Sequence, residues 1–136
     1  MIKSIIKDQQ LLAKKATPAT KADLSIAPDL IDTLNAHQAE CVGMAANMIG
    51  ITKNIIIARI GTLNIVMFNP QIIAKSCPYQ TVEGCLSLQG KRPTKRYKKI
   101  TVKFFNQAWQ EQTISLTDFA AEIVQHEIDH CNGIII

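Results

Sequence analysis

Hydrophobic residues change their period twice along the chain. From Pro28 onward Leu30, Ile31 and Leu34 recur at helical spacing, and proline suits a first turn, so a helix is predicted from Pro28 to about Glu40. The middle then reads as short runs rich in β-branched and aromatic residues. Asn54–Ile60, Asn64–Phe68, Ile100–Phe105 and Gln112–Leu116 each predict a strand, with breaks at Gly61, Asn69-Pro70 and Asn106-Gln107. Helical spacing returns at the end, where Thr117 suits an N-cap, Asp118 the positive helix start and Gly133 the stop. Roughly the first 25 residues read as an irregular arm with one short apolar helix or strand, ending in Thr17-Pro18-Ala19-Thr20. The tail Ile134-Ile135-Ile136 offers one more strand. A helix, several mostly antiparallel strands and a closing helix make an α+β fold, and 136 residues suit a single domain, 1–136, with one sizeable core.

Composition narrows the class. With 47% hydrophobic and 19% charged residues the chain is too apolar to be disordered. Its longest uncharged apolar run, around Ile55-Ile56-Ile57-Ala58, falls far short of a membrane span. Lys and Asp interrupt every apolar stretch of the N-terminus, so no signal peptide is read there, and a cytoplasmic protein without membrane contact is expected. In that compartment Cys41, Cys77, Cys85 and Cys131 stay reduced, which favours metal binding or catalysis over disulfides. The net charge of +4 is concentrated in KRPTKRYKK, where six cations occupy the nine positions Lys91 to Lys99. With Tyr97 its only aromatic and no nucleic-acid motif around it, this segment reads as a solvated loop leading into a strand, and no specific nucleic-acid partner is expected.

The closing helix carries chemistry. Gln125-His126-Glu127-Ile128-Asp129-His130 contains H-E-x-x-H, and two histidines four apart stack on one helical face, where both imidazoles reach one metal ion. Glu127 lies about 100° around the helix from His126, beside such an ion without ligating it, placed to take a proton from an activated water. Phe119 and Ile123 precede His126 on nearly the same stripe, which turns the histidines inward. A third ligand has to come from upstream, because only Cys131-Asn132-Gly133-Ile134-Ile135-Ile136 follow, and Cys131 points about 100° away from His130. The candidates are His37, Cys41, Cys77, Cys85 and the carboxylates. Cys77 sits before Pro78 with no motif around it, and His37 closes the first helix as a structural histidine. Cys85 is favoured, because Gly84 in Glu83-Gly84-Cys85-Leu86-Ser87 permits close backbone approach to another element.

Together these residues resemble the peptide deformylases. EGCLS at Glu83–Ser87 and QHEIDH at Gln125–His130 match two of that family's three signature motifs, and Cys41-Val42-Gly43-Met44-Ala45-Ala46-Asn47-Met48 answers the third, G-φ-G-φ-A-A-x-Q with φ apolar. The resemblance runs from about Val42 to Gly133 in the family's order. It implies mostly antiparallel sheets packed around a central C-terminal helix that carries H-E-x-x-H. It implies Cys85, His126 and His130 as ligands of one divalent ion, Fe²⁺ in the cell, with Zn²⁺, Ni²⁺ or Co²⁺ as alternatives. It further implies removal of the formyl group from an N-formylmethionyl peptide or nascent chain, with release of formate. Glu127 matches the acid/base. Leu86 matches the position whose backbone N–H steadies the developing oxyanion. Val42, Gly43 and Met44 resemble the segment that borders the methionine pocket and pairs with the peptide.

The sequence departs from the pattern in two places. Met48 stands where the family has Gln, and a thioether has no N–H to offer an oxyanion. Loss of one such donor costs on the order of 10²–10³ in turnover, so reduced activity is expected, with a metal-binding pseudoenzyme or a hydrolase of another small amide as the alternatives. Many bacterial family members also continue after the third motif into a helix that contacts the ribosome. Three residues follow Gly133 here, so docking by that route is not expected, and KRPTKRYKK is left as a weaker electrostatic contact.

Overall fold

Ile55-Ile56-Ile57-Ala58 is apolar at every position because its strand is covered on both faces. In the computed structural model, which describes residues 1–85 and 88–134, this run forms most of β2 (Ile55–Ile60). Ile55 and Ile57 enter one core with Leu12, Leu30, Leu34, Met44 and Phe68. Ile56 and Ala58 enter a second core on the opposite face with Met67, Val102, Ala121, Ile123 and Val124. Alternation along the strand thus feeds two apolar layers rather than one layer and solvent.

The elements in chain order are α1 (Gln9–Leu12), α2 (Ala27–Ala36), β1 (Gly43–Ala45), β2, β3 (Leu63–Cys85), β4 (Leu88–Phe105), β5 (Glu111–Thr117) and α3 (Asp118–Cys131), with short 3₁₀ turns at Lys21–Ile26 and Ala46–Ile49. The strands form one sheet in the order β1-β2-β3-β4-β5, every neighbour antiparallel. α3 lies across β1, β2 and β4. The arm is tied to this helix, since the Ala16 N–H donates to the Cys131 carbonyl at 2.8 Å. No described helix is long and apolar enough to cross a membrane.

Several expectations are corrected. α2 ends at Ala36 rather than near Glu40, with His37 as its C-cap and residues 37–40 in a turn. The predicted strands Asn64–Phe68 and Ile100–Phe105 are only the bases of β3 and β4, which form a hairpin paired from Phe68↔Phe105 to Cys85↔Leu88. The intervening segment lacks an apolar alternation because it carries Pro70, Pro78 and Pro93. Register shifts between Phe68/Gln71 and Ile72/Ala74, and left-handed backbone at Asn69 and Cys77, absorb the irregularity. KRPTKRYKK is therefore part of β4 and not a loop. Thr117 does flank α3 as N-cap, but with no side-chain hydrogen bond. Gly133 ends that helix with φ +75°, a conformation glycine reaches at no steric cost. Ile134 is not in a strand, and Ile135 and Ile136 lie outside the described residues.

Candidate active site

α3 buries Ala121, Ile123, Val124, Gln125, His126, Glu127, His130 and Cys131 together, so the histidines face inward as their spacing requires. Ile123 joins them in the core, but Phe119 is 61% exposed and stands at the lip of a cavity instead. The Nε2 atoms of His126 and His130 are 3.2 Å apart. Two ligands of a tetrahedral ion bonded at 2.0–2.1 Å lie about 3.3–3.4 Å apart, so the pair already has the spacing of one edge of such a site. Cys85, at the end of β3, supplies the third donor. Its Sγ and the two imidazole nitrogens all lie within 4.8 Å of one another, the one such cluster among the described residues. Of the other sequence candidates, His37 meets Glu40 at 3.5 Å and Cys77 is exposed, whereas Cys41 lines the adjoining cavity without joining the cluster; Cys131 is buried outside it, as its direction on the helix requires.

A carboxylate and a guanidinium hold this cluster in place. His126 Nδ1 meets Glu83 Oε1 at 2.7 Å, which leaves Nε2 for the metal position. Arg96 donates from Nε and Nη2 to Glu83 at 3.0 and 2.8 Å, and from Nη1 to Asp129 at 2.6 Å. Burial opposes ionisation of Glu83, but the hydrogen bonds from His126 and Arg96 outweigh it and hold the carboxyl down at about 2. Burial also opposes a charge on His126, yet its bonds to Cys85 and Glu83 lift it to about 10. His130, lowered by burial and by His126 to about 4, is neutral and offers a lone pair. Gln125 completes the frame. Its side chain accepts from the Tyr97 N–H at 2.8 Å and donates to the Tyr97 carbonyl at 2.7 Å, closing β4 where β5, which begins pairing at Lys99, does not reach.

The cluster opens into a cavity of about 680 Å³ lined by Cys41, Val42, Gly43, Met48, Cys85 and Glu127 among others. Burial pushes the Glu127 carboxyl up to about 7 against the pull of His126. Its Oε1 is buried with no hydrogen-bond partner among the described residues, as suits a group kept free for a proton. Gly43 explains how β1 comes so close. A Cβ there would stand 2.8 Å from Ile123 Cγ2 and 2.9 Å from Glu127 Oε2, so only glycine lets this strand pass over the carboxylate. Met44 turns away from the cavity into the core and is fully buried. Leu86 lies outside the described residues.

Met48 faces the cavity and is 1% exposed, and its sulfur accepts the Ala45 N–H at 3.5 Å. The neighbouring amide does not replace the missing donor. Asn47 Nδ2 donates to the carbonyls of His130 at 2.9 Å and Leu12 at 3.4 Å, so both its N–H bonds are committed to the fold.

Sequence reasoning missed Glu83, Arg96 and Asp129 as a unit. Glu83 and Asp129 sit inside the quoted motifs, one residue from a ligand or two. Arg96 was hidden in the basic run, where only strand alternation, with exposed Lys95 beside buried Arg96, could have singled it out.

The comparisons with known proteins agree with this geometry. The family model for polypeptide deformylase matches residues 2–136. The peptide deformylase of Clostridium beijerinckii is 48% identical over 136 residues, the full length of both chains. The crystal structure of peptide deformylase from Thermotoga maritima superposes with a TM-score of 0.89 at 29% identity, covering 99% of this chain and 95% of that one. A class I type b peptide deformylase from Acinetobacter baumannii, bound to Met-Ala-Ser, superposes with a TM-score of 0.87 at 26% identity, covering 99% and 96%. A cysteine sulfur and two imidazoles gathered within 4.8 Å, a free buried carboxyl beside them and a family match over nearly every residue lead to one conclusion: the chain belongs to the peptide deformylase family.

Proposed function

We propose that this chain deformylates N-formylmethionyl peptides with Cys85, His126 and His130 holding Fe²⁺, Glu127 as acid/base, and an oxyanion side weakened by Met48. The carrying observation is the convergence of three ligand atoms within 4.8 Å beside a buried, unpartnered Glu127 oxygen. A divalent ion bound there supplies Lewis-acid activation of a water molecule. Glu127 takes the proton of the attacking water and returns it to the departing amine nitrogen as the formyl C–N bond breaks, so the products are formate and a free N-terminal amine. Glu83 fixes the ring of His126, and Arg96 fixes Glu83.

The peptide has a natural place beside β1. Among the described residues this strand pairs with β2 alone, which leaves its other edge free along the cavity, and Val42 and Gly43 line that opening. An extended peptide adds there as a further strand. The Acinetobacter relative bound to Met-Ala-Ser supports such a ligand for this cavity.

The test is formate release from formyl-Met-Ala-Ser by anaerobically prepared, iron- or nickel-loaded protein. Glu127→Ala is expected to lose at least about 10²–10⁴ in kcat. Met48→Gln is expected to gain about 10²-fold, because Gln keeps an acceptor for the Ala45 N–H and adds two donors. No turnover from fully metallated protein, or turnover indifferent to Glu127→Ala, would overturn these roles. Rescue by Met48→Gln alone would show that this one side chain had switched the activity off.

A further inference from the structure

The β3/β4 hairpin divides the charge of the chain unevenly. Residues 63–105 carry eight Lys and Arg against one acid, a net +7, whereas the remainder carries seven against ten, a net −3. The single acid, Glu83, is buried against Arg96 and shows nothing to solvent. Lys103 is paired with Glu111 at 3.1 Å, but Lys75, Lys91, Lys95, Lys98 and Lys99 are exposed on a hairpin with no exposed carboxylate of its own.

These cations are not scattered evenly. Between the hairpin and the end of α3 lies a groove of about 430 Å³, distinct from the active-site cavity, lined by Lys75, Thr94, Lys95, Tyr97 and Asp129 among others. The Tyr97 ring sits with Lys75 Nζ 4.8 Å and Lys95 Nζ 5.5 Å from its centroid. Asp129 also lines the groove, but its carboxylate is drawn to Arg96 at 2.6 Å, so it offsets the two lysines only in part. Lys95 and Lys99 stand four apart on an extended strand, so they lie on one face roughly 13 Å apart, while Lys91 lines the active-site cavity. The enzyme chemistry uses none of Lys75, Lys95, Tyr97 or Lys99.

We propose that this groove binds single-stranded RNA without sequence preference, a base stacking on Tyr97 and the flanking phosphates meeting Lys75, Lys95 and Lys99. A base entering the groove displaces an ammonium from the ring face and frees it for the adjacent phosphate. A run of carboxylates satisfies the lysines equally well but carries no aromatic ring to stack on Tyr97, whereas RNA has a base beside every phosphate, which is why RNA is favoured.

The experiment is fluorescence polarisation of a labelled, mixed-sequence RNA of about 12 nucleotides with the metal-loaded full chain. Binding is expected whose logarithm falls with the logarithm of salt at a slope of about −2, as three phosphate contacts on a single strand require. Lys75→Ala with Lys95→Ala should weaken it at least about tenfold and flatten the slope, with formate release from a short formyl peptide unchanged. Tyr97→Leu should weaken it about tenfold at unchanged slope, and Tyr97→Phe should not. Since the Tyr97 ring also packs against the core, the lysine pair decides the matter if Tyr97→Leu fails to fold. The proposal is overturned by no binding up to about 100 µM protein at about 50 mM salt. It is equally overturned by a lysine variant that binds as the parent does, or by a polyglutamate peptide that binds as tightly as RNA.

Discussion

The two sides of the active-site cavity are built to different standards. On the metal side a chain of polar contacts backs one histidine: His126 rests on Glu83, Glu83 on Arg96, and Arg96 also on Asp129, all at 2.6–3.0 Å, while His130 Nδ1 has no partner among the described residues. At the Met48 side of the same cavity the wall offers a sulfur that only accepts, and the neighbouring Asn47 has spent both its donors on the backbone of α1 and α3. In the proposed function, holding an ion and moving a proton depend on the first side, whereas stabilising an oxyanion draws on the second. The contrast predicts a protein that loads metal like any member of its family and turns over more slowly than its metal content suggests.

The largest effect should come from the metal side. Cys85→Ser exchanges a thiolate for a hydroxyl that stays protonated at neutral pH, and formate release should vanish with metal content well below one ion per chain. Elemental analysis beside the activity assay checks this. A variant that keeps a full complement of metal would show that Cys85 is not a ligand, and the two sides would have to be reassigned.

Arg96→Met sharpens the same side at one remove. It leaves Glu83 and Asp129 as buried or half-buried carboxylates without their cation, so a destabilisation of about 3–5 kcal/mol is expected. Metal affinity should also fall about 10–100-fold, because the partner that orients His126 loses its own support. Chelator competition at a temperature where the variant is folded separates the second effect from the first. Unchanged affinity would mean that the network stabilises the fold alone.

How much of this was legible in the chain differs between the same two regions. α3 could be read almost whole, since H-E-x-x-H on a helix states its geometry through the 3.6-residue period, and Cys85 could be chosen by its place beside Gly84. Arg96 could not, because a basic run looks solvated until the strand that contains it is known. That strand was hidden by Pro78 and Pro93 and by a segment whose inward positions are Glu83 and Arg96 rather than apolar residues. Periodicity reports burial only when the buried face is hydrophobic. Likewise Phe119 was placed inward by helical spacing, but its stripe runs out of the core and over the cavity mouth, where spacing alone has no information.

The smallest expected effect bears on the weaker side. If Met48 only fills space, Met48→Leu should leave kcat/KM on formyl-Met-Ala-Ser within about twofold, since the two side chains are close in volume and neither donates a hydrogen bond. The Ala45 N–H loses only a long contact to sulfur, so thermal stability should drop slightly. A fall in kcat as large as that from losing an oxyanion donor would mean that the thioether takes part in turnover. In that case the side that looks empty is serving through a contact that geometry does not credit, and the gain expected from Met48→Gln should be absent as well. Measured together, the two substitutions at one position separate a missing donor from a working thioether, because only the first predicts indifference to Leu and improvement by Gln.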